Sequence, residues 1–315
     1  MLIGHEHPWA AWRAAMAGHR MHHAWLLAGR EGLGKASFAI EAAAALVAEP
    51  GVPQPEPHHH PDILILEPLP ANDDEAKKKD DGRPYARKRN INVDQIRAML
   101  HRLHTRPTLG ARRAVIIDAA DHLEKGAVNA LLKGLEEPPQ GTFFLAVVHQ
   151  PGRLLPTVRS RCQVLRFRPL EPAEMERALG EAAPELDAET RAAAIAVAHG
   201  APGAALTFAQ HDLARPLALL RRILAQGDPD LSLRAELASA LGARPDRERL
   251  LATVETARTV LVEALPHSGP GNRLGIIAAH ERLVELGGEV PTHNFEPGLL
   301  IMEVGGLLAR AAGPG

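Results

Sequence analysis

The stretch GREGLGK, close to the N-terminus, has the spacing of a phosphate-binding loop. Gly29, Gly34 and Lys35 fill the fixed positions of the pattern G-x-x-x-x-G-K-[ST], and Gly32 lies between them. Glycines allow backbone N–H groups to crowd around phosphate oxygens, and the lysine neutralises phosphate charge. The next residue is Ala36, which lacks the hydroxyl that holds Mg²⁺ at this position. The pattern therefore predicts a degenerate nucleotide site.

A second candidate position follows the apolar stretch RAVII, which ends at Asp118. In nucleotide-hydrolysing folds, an aspartate at such a strand tip binds Mg²⁺, and a glutamate directly after it commonly polarises the attacking water. Here Ala119 follows instead. Loss of a general base alone typically removes a factor of about 10²–10⁴ in rate. Ser37 does not replace the missing hydroxyl, because one step along a helix turns a side chain by about 100°.

A third candidate is Arg161 in the stretch LLPTVRSRC. The spacing predicts a short surface helix with this arginine near its end. One interpretation is an ion pair at a domain junction. The other is an arginine finger, which is presented to a phosphate on a neighbouring molecule and is worth about 10³–10⁵ in rate.

Apolar strands alternate with helices around these positions. We expect strands at 24–28, 62–68, 114–117 and 142–150. Helices are expected in ASFAIEAAAALVAE, in VDQIRAMLHRLHTRP, where Pro107 ends the helix, and in GAVNALLKGLEEPP, where the two prolines end it. Continuous apolar strands that alternate with helices indicate a parallel sheet with both faces covered. The order of strand, glycine loop and helix is the context that a phosphate-binding loop requires.

Residues 70–90 interrupt this alternation. The stretch is charged and almost free of apolar residues, so it cannot bury a core, and it is predicted to be a mobile surface insertion. Its basic end, residues 83–89, suits phosphate contact, but charge runs are more often solvated loops.

From about residue 170 the pattern becomes entirely helical. Short helices separated by proline and glycine predict a small domain, and from about residue 212 longer amphipathic segments predict a bundle of about five helices. Asp228, Asp246 and Asn272 are expected to be N-caps within it. The fold class is therefore α/β followed by all-α.

Composition narrows the function classes. The chain has 315 residues with a formal net charge of −2, so no global basic field holds nucleic acid, and a stand-alone DNA-binding module is disfavoured. The single cysteine, Cys162, excludes an internal disulfide framework and fits a reducing cytoplasm. It is expected to be a neutral thiol without a base partner. No apolar run is long enough to span a membrane, and the N-terminus lacks the form of a signal peptide, so the chain is expected to be cytoplasmic.

The motifs HAWLLAGREGLGKAS, VDQIRAML, RAVIIDAADHLEKGAVNALLKGLEEPP and RLLPTVRSRC occur in that order. Together they resemble the delta-prime family of subunits of the bacterial DNA polymerase III clamp loader, strongly through residue 170 and more weakly beyond. The SRC after LLPT is the most specific part. The resemblance implies a AAA+ module with a RecA-like domain at residues 1–168, a helical lid at 169–211 and a collar domain at 212–315 that joins five subunits in a ring.

The resemblance also implies a function. Such subunits do not hydrolyse ATP, and Arg161 would be the finger that serves ATP on an adjacent gamma or tau subunit. The implied partners are gamma/tau and delta subunits, with the sliding clamp and primed DNA reached through the complex. Active relatives carry a polar sensor where this chain has Val148 or His149, and a sensor arginine where it has Gly203 or Ala204.

Two points remain open at this stage. The alternative function is a AAA+ ATPase that binds ATP or ADP weakly through Lys35 and Asp118. Many relatives also carry a four-cysteine zinc module, whereas this chain has GVPQPEPHHHPDILIL there. Adjacent histidines cannot all point at one metal without a loop wrapping it. No metal site is therefore predicted, and the other N-terminal histidines, at 5, 7, 19, 22 and 23, are expected at the surface or in packing.

Overall fold

Five short strands form one parallel sheet in the computed structural model, which describes residues 3–18, 20–83, 85–290, 293 and 295–312. The strands are β1 (Ala24–Ala28), β2 (Ile63–Leu66), β3 (Arg113–Ile117), β4 (Thr142–Val148) and β5 (Gln163–Arg166). Their order across the sheet is β2-β3-β4-β1-β5. β1 and β3 are wholly buried, as expected for strands with helices on both faces.

The first seven helices accompany this sheet or follow it. They are α1 (Glu6–Ala17), α2 (Lys35–Val47), α3 (Asp73–Asp80), α4 (Val93–Arg102), α5 (Lys125–Glu136), α6 (Pro156–Arg159) and α7 (Pro172–Ala182). α4 begins with a capping box, in which Asn92 and Gln95 satisfy each other's backbone N–H groups. It ends at Arg102, slightly earlier than the sequence pattern predicts.

Alternate residues of β1 pack on opposite faces of the sheet. Leu26 belongs to a buried cluster with residues of α4 and α5, such as Ile96 and Leu131. Trp25 packs on the other side against Trp12 of α1, with ring centroids 5.3 Å apart. The two faces together fix the strand, and therefore the loop that leaves its end.

The chain divides into two compact units, Met1–Glu174 and Met175–Gly315, and the division falls inside α7. The second unit is helical, with α8 (Ala188–Ala198), α9 (Pro202–Gln210), α10 (Ala214–Gln226), α11 (Ser232–Leu241), α12 (Arg247–Ala264), α13 (Pro270–Glu289) and α14 (Pro297–Ala311). α14 contacts α10, α11, α12 and α13. The predicted fold class of α/β followed by all-α is confirmed, and the finer division at residues 168 and 211 stays a prediction.

The charged insertion differs from the mobile loop that the sequence pattern predicts. Residues 73–80 form α3, with Asn72 as its N-cap, acidic residues in the first turn and lysines in the last. This charge order complements the helix dipole. The two ends of the insertion are joined, because Ala71 N–H donates to Ala86 at 2.9 Å and Lys88 N–H donates to Leu69 at 2.7 Å. The insertion is exposed, as expected, but it is ordered by polar contacts.

The predicted N-caps have mixed outcomes. Asp246 caps α12, where its carboxylate accepts the N–H of Arg249 at 2.7 Å. Asp228 lies before the formal start of α11, yet its carboxylate accepts the N–H groups of Leu233 and Arg234. The prediction for Asn272 is wrong, because α13 already begins at Pro270.

Candidate functional site

The glycine loop joins β1 to α2 at the carboxyl edge of the sheet. Gly32 and Gly34 have φ of 77° and 76°, which is the left-handed region that glycine adopts without strain. Gly29 is required by a close approach, since a Cβ atom there would lie 2.7 Å from the carbonyl oxygen of Phe167. The loop therefore has the backbone form of a phosphate-binding loop.

Lys35 is the first residue of α2 and is 2% exposed. Its ammonium donates a hydrogen bond to the carbonyl of Arg30 in the same loop. Burial lowers the pKa of Lys35 to about 8, although Glu31, Asp121 and Asp118 oppose this shift. The lysine is thus satisfied within the loop.

Asp118 directly follows β3, and the parallel register places it near the end of β4. Burial raises the pKa of its carboxyl, against the opposing charges of His149, Arg87 and Lys35. Burial and the charge of Lys35 lower the pKa of His149. Asp118, His149 and Lys35 therefore lie within electrostatic reach of one another at the ends of β3, β4 and β1.

The two alanines stand where catalytic groups would act. Ala36 is the second residue of α2, and Ala119, which is 3% exposed, follows Asp118. Ser37 is one step further along α2, so its hydroxyl points about 100° away from the position of residue 36. Positions 36 and 119 therefore carry neither a hydroxyl that could bind Mg²⁺ nor a group that could act as a general base.

Two polar residues of this edge carry roles that the sequence pattern does not reveal. His5 Nε2 donates to the carbonyl of Leu33 at 2.5 Å, and its ring lies 4.8 Å from that of Phe167. The expected packing role of His5 is confirmed, and its bond to the loop is additional. Asp121 accepts the N–H groups of His149 and Gln150 at 3.2 and 3.0 Å. In the sequence, only its position three residues after Asp118 indicates that Asp121 belongs to this edge of the sheet.

Arg161 lies two residues beyond the end of α6, on the surface of the first unit. Its Nη2 is 2.7 Å from Oε1 of Glu136, the last residue of α5, and its Nη1 donates to the carbonyl of Thr157 at 2.9 Å. The guanidinium is half-exposed. The structure therefore places it in an intramolecular ion pair, and the sequence offers no signal for Glu136 as the partner.

Cys162 and His60, the last of the three consecutive histidines, have contacts inside the protein. Burial raises the pKa of the Cys162 thiol to about 12, which confirms a neutral thiol. His60 is buried, with Nε2 2.8 Å from the side-chain oxygen of Gln54 and Nδ1 accepting the N–H of Asp62. In the part of the chain that the structure describes, no three His, Cys, Asp or Glu side chains are grouped closely enough to hold a metal ion.

The sheet order, the glycine loop after β1 and the helical second unit are those of the AAA+ fold. A solved gamma-subunit-related protein of DNA polymerase III from Thermotoga maritima has the same fold, with a TM-score of 0.52 and 15% identity. The match covers 97% of this chain and 99% of that protein.

Sequence comparison identifies the family within this class. The family described as DNA polymerase III, delta subunit, matches residues 4–171, more than half of the chain, and the chain belongs to it. DNA polymerase III subunit delta′ of Pseudomonas aeruginosa is 34% identical over 62% of this chain and 59% of its own length. DNA polymerase III subunit tau of Escherichia coli is 27% identical over 99% of this chain and 43% of its own length. The chain thus spans between about two fifths and three fifths of these two relatives.

Among the described residues, no helix combines the length and the apolar character needed to cross a lipid bilayer.

Proposed function

We propose that this chain is a delta-prime subunit of a clamp loader and supplies Arg161 in trans to ATP on a neighbouring subunit. It would act in the cytoplasm, in a five-membered ring with gamma/tau and delta subunits. The ring would open the sliding clamp and place it on primed DNA during replication. This chain would be the rigid, non-hydrolysing member.

One observation carries this proposal. The glycine loop and the end of β3 are both present, but alanine stands at the two positions, 36 and 119, where catalytic groups are expected. Ala36 provides no ligand for Mg²⁺, and Ala119 provides no base. Lys35 donates to the carbonyl of Arg30 in its own loop, so a phosphate would compete with this acceptor for the ammonium. Phosphoryl transfer depends almost entirely on positioned charge and metal, so these losses oppose hydrolysis.

The surface placement of Arg161 supports an outward role. Its side chain is 36% exposed, so part of the guanidinium can be reached from outside the first unit. Arginine suits this role because its planar donors match phosphate oxygens and its charge does not titrate near neutral pH.

One helix of the second unit supports assembly with other subunits. Leu274, Ile277 and Val284 are exposed on α13, at spacings that place them on one face. Contiguous exposed apolar side chains commonly mark interaction sites. We propose that this face contributes to the collar. Leu274→Ser is expected to weaken co-purification with the partner subunits. Val52→Ser, at an exposed valine of the first unit, is the control.

The finger is tested in a ring reconstituted from this chain with gamma/tau and delta subunits. Arg161→Ala is expected to leave the ring assembled and to depress DNA-stimulated ATP hydrolysis, because a finger contributes about 10³–10⁵ in rate at the site it serves. Arg159→Ala is the matched control, since Arg159 is exposed and lies two residues away. Within the described residues its side chain makes one hydrogen bond, to the carbonyl of Pro151 at 3.4 Å. Unchanged turnover in the Arg161 variant would refute the finger.

The alternative is a weak ATPase, and the intact backbone of the glycine loop favours it. Hydrolysis by the isolated chain with DNA, abolished by Lys35→Ala, would support this alternative. We expect no such turnover. Titration with a fluorescent ATP analogue separates binding without hydrolysis from no binding, and Lys125→Ala, at an exposed lysine of α5, is the control.

A further inference from the structure

The guanidinium of Arg161 is held by two acceptors from its own chain. Glu136 Oε1 lies 2.7 Å from Nη2, and the carbonyl oxygen of Thr157 lies 2.9 Å from the Nη1 that donates to it. The two acceptors come from different elements, α5 and α6. Together they favour one direction of the side chain.

The position of Glu136 is not explained by the stability of its own helix. It is the last residue of α5, and the carboxyl end of a helix carries a partial negative charge that disfavours an acidic side chain. The ion pair with Arg161 offsets this repulsion. The contribution of Glu136 therefore lies in its contact with the guanidinium of Arg161.

The ion pair leaves most of the guanidinium available. Arginine has five N–H donors; Thr157 accepts one of them, and Glu136 forms an ion pair at Nη2. Donors therefore remain for another acceptor. We infer that Glu136 is a positioning residue, which holds Arg161 ready to meet the phosphate of a nucleotide on a neighbouring subunit. This inference rests on the proposed role of Arg161.

The expected size of the effect follows from exposure. The side chains of Arg161 and Glu136 are 36% and 50% exposed, so the pair is screened by solvent. Exposed ion pairs bias a side chain only modestly. Removing the pair is therefore expected to lower the rate at the served site by about two- to fivefold, far less than removing the finger itself.

The test compares three variants in the reconstituted ring, with primed DNA and a titration of ATP. Glu136→Ala is expected to lower kcat by about two- to fivefold while KM for ATP stays constant, because the pair acts on transition-state positioning and not on nucleotide binding. Glu136→Gln should fall between that variant and the unchanged protein, because its amide oxygen still accepts. Glu137→Gln is the control, since the adjacent Glu137 is exposed and makes no ion pair within the described residues.

A double-mutant cycle distinguishes an effect of Glu136 that acts through Arg161 from a general effect of Glu136 on the structure. In an Arg161→Ala background, Glu136→Ala should change kcat no further. An equal loss in both backgrounds would overturn the inference, as would a kcat for Glu136→Ala that is unchanged or raised. If Arg161→Ala is itself silent, the proposed finger fails and this inference fails with it. If Arg161→Ala depresses turnover and Glu136→Ala does not, only the positioning role is refuted.

Discussion

The ammonium of Lys35 donates to the carbonyl of Arg30, five residues earlier in the same loop. The lysine that the sequence pattern assigns to a phosphate is therefore hydrogen-bonded within its own loop. His5 holds the loop at Leu33, and Phe167 packs against Gly29. The loop is therefore supported by contacts of the protein alone, which explains how its shape persists without the groups for chemistry.

The buried Lys35 predicts a pH dependence of stability. Its pKa is about 8 in the folded chain and 10.5 ordinarily, so the unfolded chain binds more protons between these values. Stability of the unchanged protein should therefore rise with pH across that window. Lys35→Met removes the buried charge and should raise the free energy of unfolding at pH 7, by at most about 3 kcal/mol.

Urea unfolding of both proteins at pH 7 and at pH 10 checks this prediction. The advantage of Lys35→Met should shrink at the higher pH, where the native lysine is neutral. Lys125→Met, at an exposed lysine, should show no comparable change with pH. A constant difference between the Lys35 variant and the unchanged protein at both pH values would contradict the prediction.

Four of the five strands of the first unit can be predicted, because they are continuous apolar stretches. The sequence pattern misses β5, because three of its four residues are exposed and two of the four are polar or charged. The spacing within the sequence motifs is enough to identify Lys35 and Asp118 as candidate residues. The parallel sheet then brings the carboxyl ends of β1 and β3, which these residues follow, to the same edge. Glu136 cannot be found in this way, because it lies 25 residues before Arg161 in a charged helix end. No local sequence pattern indicates an ion pair between residues so far apart in the chain.

A buried ion pair anchors the opposite end of the sheet. Asp62 Oδ1 lies 3.4 Å from Nη2 of Arg113, and both side chains are almost fully buried. The carboxylate also accepts the N–H groups of Thr108 and Leu109. Asp62→Ala should lower the free energy of unfolding by about 3–5 kcal/mol, because it leaves a buried guanidinium without its counter-charge.

The exposed pair of Asp94 and Arg97, also 3.4 Å apart, is the matched control. Asp94→Ala should change the free energy of unfolding by less than about 1 kcal/mol, because solvent screens the pair. Denaturant melts of the two variants at neutral pH make the comparison. Similar losses for both variants would show that burial does not decide the difference.

Glu67 is the acceptor that anchors the charged insertion. It receives Lys79 at 2.9 Å and Arg87 at 2.8 Å. Burial opposes ionisation of Glu67, yet these two cations hold the pKa of its carboxyl below the usual value. Glu67→Gln should therefore loosen α3, and limited trypsin digestion should cut within residues 77–89 faster while the rest of the chain resists.

Asp81→Asn is the control, because Asp81 pairs with Arg83 at an exposed site. Its digestion pattern should match that of the unchanged protein. Equal digestion of the Glu67 and Asp81 variants would show that the insertion does not depend on its anchor.

The sequence pattern predicts a loop where the structure has the helix α3, and the difference has a physical reason. Its helix buries no apolar side chain, so the periodicity that reveals most helices is absent. What stabilises it is the Asn72 cap, the charge order along the helix and a glutamate six residues before the helix begins. The cap and the charge order are visible in the sequence, but the distant acceptor is visible only in the fold.

A substitution at Gly29 can show whether this loop glycine is needed for packing as well as for contact with a phosphate. A Cβ atom at this position would lie 2.7 Å from the backbone oxygen of Phe167, and backbone cannot swing aside as a side chain can. Gly29→Ala should destabilise the first unit by about 1–3 kcal/mol. Gly152→Ala is the control, because a Cβ atom at residue 152 would meet no other atom within 4 Å. The measurement is thermal unfolding without nucleotide. If only Gly29→Ala lowers the unfolding temperature, the glycine supports the fold. If both variants are as stable as the unchanged protein, phosphate contact would be the only role left for Gly29.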